Sequence, residues 1–257
     1  MPSHLLAAAV LSATANLAVA DAPLYNSSSD TVFDVITESD ASAFACLVSK
    51  GSSPRQMWDK RIDAEYSVSA YVFEARFLDG QTIEVAVNPE FGSDTKAASE
   101  AKRIARPLGR LPYGVRSGLE FIGIHKGTPT FSAGAGKMFA YAERTDQRIA
   151  EHRLEETLFH EAVHVTLDPV HATAENWIAA QLKDGRFLTS YAEQNPTRED
   201  LAETSIFAFA ILFHPGRFPP VDTSDVLAAV PARVAYLKTV FSEFESPVWA
   251  SANEIGC

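Results

Sequence analysis

Leu154-Glu155-Glu156-Thr157-Leu158-Phe159-His160-Glu161-Ala162-Val163-His164 is the stretch from which the rest of this chain is read. Its last five residues spell H-E-x-x-H. On a helix, His160 and His164 lie four apart on one face, so both imidazoles can reach a single metal ion. Glu161 sits beside that face, where it can take a proton from metal-activated water. Leu154, Leu158, Val163 and Val165 supply apolar surface around the pair. The helix is expected to start at a cap on Thr145 or Asp146 and to run to about Leu167. Pro169 stops it, because the residue before a proline is pushed out of α geometry. Asp168 then carries an unfavourable charge at the helix C-terminus, which points to a local partner.

Upstream of the motif the pattern changes to strands. Ser67–Phe77 is rich in β-branched and aromatic residues, Asp79-Gly80 is a turn signal, and Thr82–Val87 alternates, so these predict a hairpin. A helix follows from Ser93-Asp94 to Ala105, stopped by Pro107 and Gly109. Leu119–His125 reads as a further strand. Gly134-Ala135-Gly136 and the run from Lys137 to Ala142 read as a glycine-rich loop and a short strand entering the motif helix. Downstream, helices are expected over Ala172–Leu182, from Asn195 to Phe213 with Pro196 at its first turn, and over Ser224–Phe244. Residues 21–66 hold only short apolar pieces and a Gly51-Ser52-Ser53-Pro54 turn signal, and read as a lead-in.

The 257 residues are 46% hydrophobic and 21% charged, enough apolar material for one sizeable domain. Net charge is −11 and there is no dense Lys/Arg run, so nucleic acid is not an expected partner. Leu5–Leu11 is apolar and Ala18-Val19-Ala20 is a small-residue cleavage pattern, so residues 1–20 read as a signal peptide, with a second cut available after Ala15. The apolar run is too short for a membrane anchor and no second span follows. The two cysteines, Cys46 and Cys257, suit one disulfide in an oxidising, extracellular compartment.

A metal site of this type takes three protein ligands and keeps a position for water. The best third candidate is Glu199 in Glu199-Asp200-Leu201-Ala202-Glu203, with Glu203, four residues on, able to accept an N–H from a ligand imidazole. His171 is the competing choice, although its spacing from His164 does not match the pattern H-E-x-x-H-x-x-G-x-x-H. His125, His152 and His214 have no spacing partner and read as structural or exposed.

From Leu154 to Leu212 the motif and the later E-x-x-A-E run, preceded by Ser190-Tyr191 and Asn195, resemble the gluzincin group of zinc metallopeptidases. The nearer likeness is to the catalytic domain of anthrax lethal factor and related proteins. Tyr191 stands one residue further from Glu199 than that pattern has it, with Pro196 marking the extra position. The resemblance implies His160, His164 and Glu199 as Zn2+ ligands, Glu161 as general base, Tyr191 as a phenol donor to an oxyanion and Glu203 behind a ligand histidine. It also implies an α+β, zincin-like fold: a small twisted, mostly antiparallel sheet packed on the active-site helix, then a mainly helical C-terminal part. A single domain over 67–257 is expected, sheet-rich over 67–145 and helical over 146–257. The expected function is a secreted zinc peptidase whose peptide or protein substrate lies extended against the strand at Lys137–Ala142. The alternative is a secreted metal-binding effector without turnover. Oligomeric state and substrate sequence are left open.

Overall fold

The computed structural model describes residues 22–30, 33–244 and 250–257. The expected signal peptide lies outside the described residues. The hairpin forms as read: β2 (Ala64–Phe77) returns through Asp79-Gly80 into β3 (Thr82–Val87). It is extended on its outer side by β1 (Phe44–Asp59), a 16-residue antiparallel partner of β2. This corrects the reading of residues 21–66 as a lead-in. The Gly51-Ser52-Ser53-Pro54 signal marks a bulge rather than a turn, because the register shifts between Ser49 and Ser52 and Gly51 takes φ 75°. Pro54 is tolerated because β1 is an edge strand.

Three further strands complete the sheet: β4 (Phe121–His125), β5 (Ser132–Gly134) and β6 (Lys137–Tyr141). The six strands run in the order β1-β2-β3-β4-β6-β5. The β1/β2, β2/β3 and β5/β6 pairs are antiparallel, while β3/β4 and β4/β6 are parallel. The class is therefore α+β, with an open, mostly antiparallel sheet. One expectation fails here. β6 is paired on both sides over Lys137–Phe139, so the free strand edge along that stretch belongs to β5.

Between β3 and β4 lies α1 (Asp94–Leu108), capped by Ser93, whose side chain accepts from the Lys96 N–H. Its buried residues, Ala97, Ala101, Ile104, Ala105 and Leu108, follow helical spacing and make one apolar stripe against the sheet. Gly109 ends it where a Cβ would come within 2.5 Å of the Phe44 backbone nitrogen, so the close approach of helix end to β1 requires glycine. The short α2 (Tyr113–Arg116) leads to β4.

The single helix expected from residue 145 to 167 is two: α3 (Ala142–Ala150) and α4 (Leu154–Thr166). The Arg153 N–H bonds the Arg148 carbonyl and the His152 N–H bonds the Ile149 carbonyl, while His152 takes φ 54°. That is a Schellman ending with histidine where glycine is usual, so no glycine announced it. After Leu167 come α5 (Asp168–His171), with Pro169 in its first turn, and α6 (Glu175–Asp184). The helix expected from Asn195 is preceded by α7 (Ser190–Gln194) and begins only at Asp200, as α8 (Asp200–Phe213). The last expected helix is divided by Pro231 into α9 (Pro220–Ala229) and α10 (Pro231–Ser242), because Val230 before the proline leaves α geometry at φ −134°.

α4 and α8 are buried nearly all round and pack on each other, Phe159 against Phe209 with ring centroids 5.1 Å apart. Fully buried Leu158, Phe159 and Val163 are each worth about 2 kcal/mol of apolar burial, so α4 is held by its packing rather than by its caps. The expected Cys46–Cys257 disulfide is present, its Cα atoms 5.9 Å apart, tying the C-terminal turn to β1. Among the described residues no helix is long and apolar enough to cross a membrane.

Candidate metal centre

His160 and His164 occupy the one face of α4 that the core leaves open, and they look into a cleft of about 900 Å³. Opposite them stands Glu199, the residue before α8. One ligand atom from each of His160, His164 and Glu199 lies within 4.8 Å of the others. Glu199 Oε2 is 3.1 Å from His164 Nε2 and 3.5 Å from His160 Nε2, and the two Nε2 atoms are 3.1 Å apart.

Hydrogen bonds behind the imidazoles decide which nitrogens face inward. His164 Nδ1 lies 2.6 Å from Asp168 Oδ2. A carboxylate oxygen only accepts, so His164 donates from Nδ1–H and its Nε2 carries the lone pair. Ser28 Oγ donates to Glu203 Oε1 at 2.8 Å and lies 3.2 Å from His160 Nδ1. Its one proton being spent on Glu203, the hydroxyl accepts from His160 Nδ1–H. Both inward Nε2 atoms therefore present lone pairs to each other and to a carboxylate oxygen across about 3 Å, an arrangement that repels itself unless protons or a cation sit between. Two imidazoles and one carboxylate with their outer nitrogens hydrogen-bonded are a donor set that fits Zn2+.

Titration follows the same logic. Burial pushes His164 down, but its hydrogen bonds to Asp168 and Glu199 outweigh that and raise it to about 10. Burial likewise opposes the charged form of His160, and the Glu199 hydrogen bond reverses the sign and raises it. Burial would raise the Glu199 carboxyl, yet the two histidines hold it well below the usual carboxylate range. Protons drawn onto the imidazoles thus take the place between the three donors that a cation would fill.

Glu161 lines the cleft next to the histidines and is 9% exposed. Burial raises its carboxyl above the usual range, more than the neighbouring histidines lower it, and this suits a group that must accept a proton. Tyr191, on α7, is 40% exposed and donates its hydroxyl to Glu199 Oε1 at 3.1 Å. Burial first, then the Glu199 charge, pushes this phenol up to about 12, so it stays a donor at neutral pH. Glu203 meets His160 through Ser28 and lies 3.5 Å from its Nδ1 directly. His171 is turned away, its Nδ1 2.8 Å from the Tyr236 hydroxyl on α10, and does not join the triad. His125 is fully buried between the Trp58 carbonyl and Asn88, the structural role expected of it.

Several contributors escaped the sequence reading. Ser28 is buried and also gives its backbone N–H to Glu203 Oε2 at 2.6 Å. The segment that carries it is bound to the far side of the cleft, where the Tyr191 N–H bonds the Asn26 carbonyl and the Ser190 N–H bonds the Tyr25 carbonyl. Nothing local in the sequence signals this, since Ser28 lies 132 residues from His160. In the sequence Asp168 shows only as a charge in want of a partner. Asp200, next to Glu199, is fixed by the fully buried Arg233 at 2.6 Å and by Gln181 at 2.8 Å, which ties the start of α8 to α10 and α6.

Searches with this chain match no protein-family model, no curated protein and no solved structure.

Proposed function

We propose that this chain is a zinc-dependent peptidase of the gluzincin kind, acting outside the cytoplasm. The observation that carries the reading is the inward-facing triad of His160, His164 and Glu199 with Glu161 beside it in one cleft. Zn2+ held by those three side chains would supply Lewis acidity, polarising a scissile carbonyl and making water a nucleophile near neutral pH. Glu161 takes the proton of the attacking water and passes it to the leaving amine. Tyr191, already a hydrogen-bond donor toward the centre, is placed to turn its hydroxyl from Glu199 to the developing oxyanion. Asp168, Ser28 and Glu203 hold the two imidazoles in the tautomer that leaves Nε2 free.

An extended peptide has one free sheet edge at the cleft, that of β5, whose Ser132–Gly134 line it. Backbone pairing there would seat the substrate by strand addition. The Cys46–Cys257 disulfide supports an oxidising compartment. Glu161→Gln tests the reading: the purified variant should keep one zinc per chain while peptide cleavage falls by at least about 10²-fold. Cleavage that survives the substitution removes Glu161 as the base.

A further inference from the structure

Resting on the peptidase reading for the seat of the peptide, we propose that Lys60 and Arg144 select substrates bearing aspartate or glutamate side chains beside the scissile segment. Both residues line the cleft and both grip the loop that feeds β5. Lys60 Nζ bonds Thr130 Oγ1 at 2.8 Å and the Thr130 and Phe131 carbonyls at 3.3 Å. Arg144 bonds the Thr128 carbonyl at 2.9 Å and Gln147 Oε1 at 2.6 Å. Every one of these acceptors is neutral, and among the described residues neither cation has a carboxylate in ion-pair reach. Elsewhere several arginines meet carboxylates: Arg55 meets Glu84, Arg61 meets Asp59 and Glu90, and Arg217 meets Asp40, all within 3.0 Å. Other cations among the described residues also lack a carboxylate partner, but Lys60 and Arg144 stand together on one wall of the cleft.

Apart from Glu161, which lies beside the histidines and feels the Lys60 charge without forming an ion pair, the acidic groups of the cleft are engaged away from that wall. Glu199, Glu203 and Asp168 are bound to or behind the histidines. Glu156 turns one oxygen to the Val35 and Ile36 N–H groups. A peptide paired along β5 presents alternate side chains to the same wall, so residues two apart meet the loop clasped by Lys60 and Arg144. Carboxylates there find positive charge with no ion-pair partner, while lysine or arginine at the same places meets like charge that only the more distant Glu161 offsets.

The test is binding by the full chain carrying Glu161→Gln and loaded with zinc, read by fluorescence anisotropy. Two pools of labelled decapeptides share a degenerate neutral background and differ in two fixed residues at i and i+2, glutamate in one and lysine in the other. The glutamate pool should bind about tenfold more tightly at low salt, and the gap should shrink as salt screens the exposed charges. Combining Lys60→Glu with Arg144→Glu should reverse the order of the two pools; thermal unfolding of that variant checks that both exposed-face changes leave the fold intact. Equal binding, a lysine preference, or a glutamate preference that survives the double reversal overturns the assignment. A phosphoserine pool should bind no more tightly than the glutamate pool, and tighter binding would move the assignment from carboxylates to phosphates. Because this assay needs no turnover, its failure is separate from that of the peptidase reading, which the cleavage assay on the native chain decides.

Discussion

Removing Asp168 should loosen the metal centre without touching a ligand. Asp168 Oδ2 accepts from His164 Nδ1 at 2.6 Å, a short charge-assisted bond, and the other oxygen of the same carboxylate is buried without a hydrogen-bond partner among the described residues. The carboxylate thus spends its one hydrogen bond on the ligand histidine. Losing such a partner costs about 10- to 100-fold in metal affinity, or about 1.4 to 2.7 kcal/mol. The counterpart behind His160 is a neutral hydroxyl at 3.2 Å, so Ser28→Ala should cost less, about 1 kcal/mol or roughly fivefold. Asp168→Asn keeps an oxygen that accepts from Nδ1–H and should restore most of the affinity lost in Asp168→Ala. Zinc dissociation constants from chelator competition at pH 7.5 read all three. If Asp168→Ala binds zinc as tightly as the native chain, or loses less than Ser28→Ala, then the tautomer argument for an inward-facing Nε2 is wrong.

Two further outcomes follow from the same geometry. Tyr191→Phe should lower kcat by about 10²-fold while zinc content and KM stay near native values, because the phenol serves the transition state and binds no metal; an unchanged kcat would leave Tyr191 as a cover for Glu199. Burial raises the Glu156 carboxyl from its ordinary 4.5 to about 7, against the pull of the Val35 and Ile36 N–H groups. Between those two values the folded state binds more protons than the unfolded one, so this group's contribution to stability falls as pH rises through that window. Glu156→Gln removes the titration, and denaturant unfolding from pH 4 to pH 8 should show a shallower loss than the native chain; parallel pH profiles would contradict the assignment.

The parts of this fold that the sequence declared are those carried by short-range chemistry. Spacing of four put His160 and His164 on one face, and alternation gave the β2/β3 hairpin. Both patterns depend only on the helix and strand periods. The fold departs from its sequence pattern where one signal serves two geometries. Gly51 marks a bulge as readily as a turn, and His152 takes the left-handed position that glycine would have advertised. The surroundings of the site were legible in proportion to their nearness in sequence. Asp168 announced itself as a misplaced charge one turn beyond His164, and Glu203 as a carboxylate one turn beyond Glu199. Ser28 and Arg233 could not be found that way, because their contacts close loops of more than a hundred residues in one case and 33 in the other. Pairing of β6 on both sides is likewise a property of the assembled sheet, which no single strand's pattern contains.

The most direct measurement is anomalous diffraction at the zinc edge from crystals of the full chain grown with Zn2+. A single strong peak about 2.0 to 2.2 Å from His160 Nε2, His164 Nε2 and a Glu199 carboxylate oxygen is the result this account predicts. No peak at the triad, or a peak bound by His171 in place of Glu199, would contradict it.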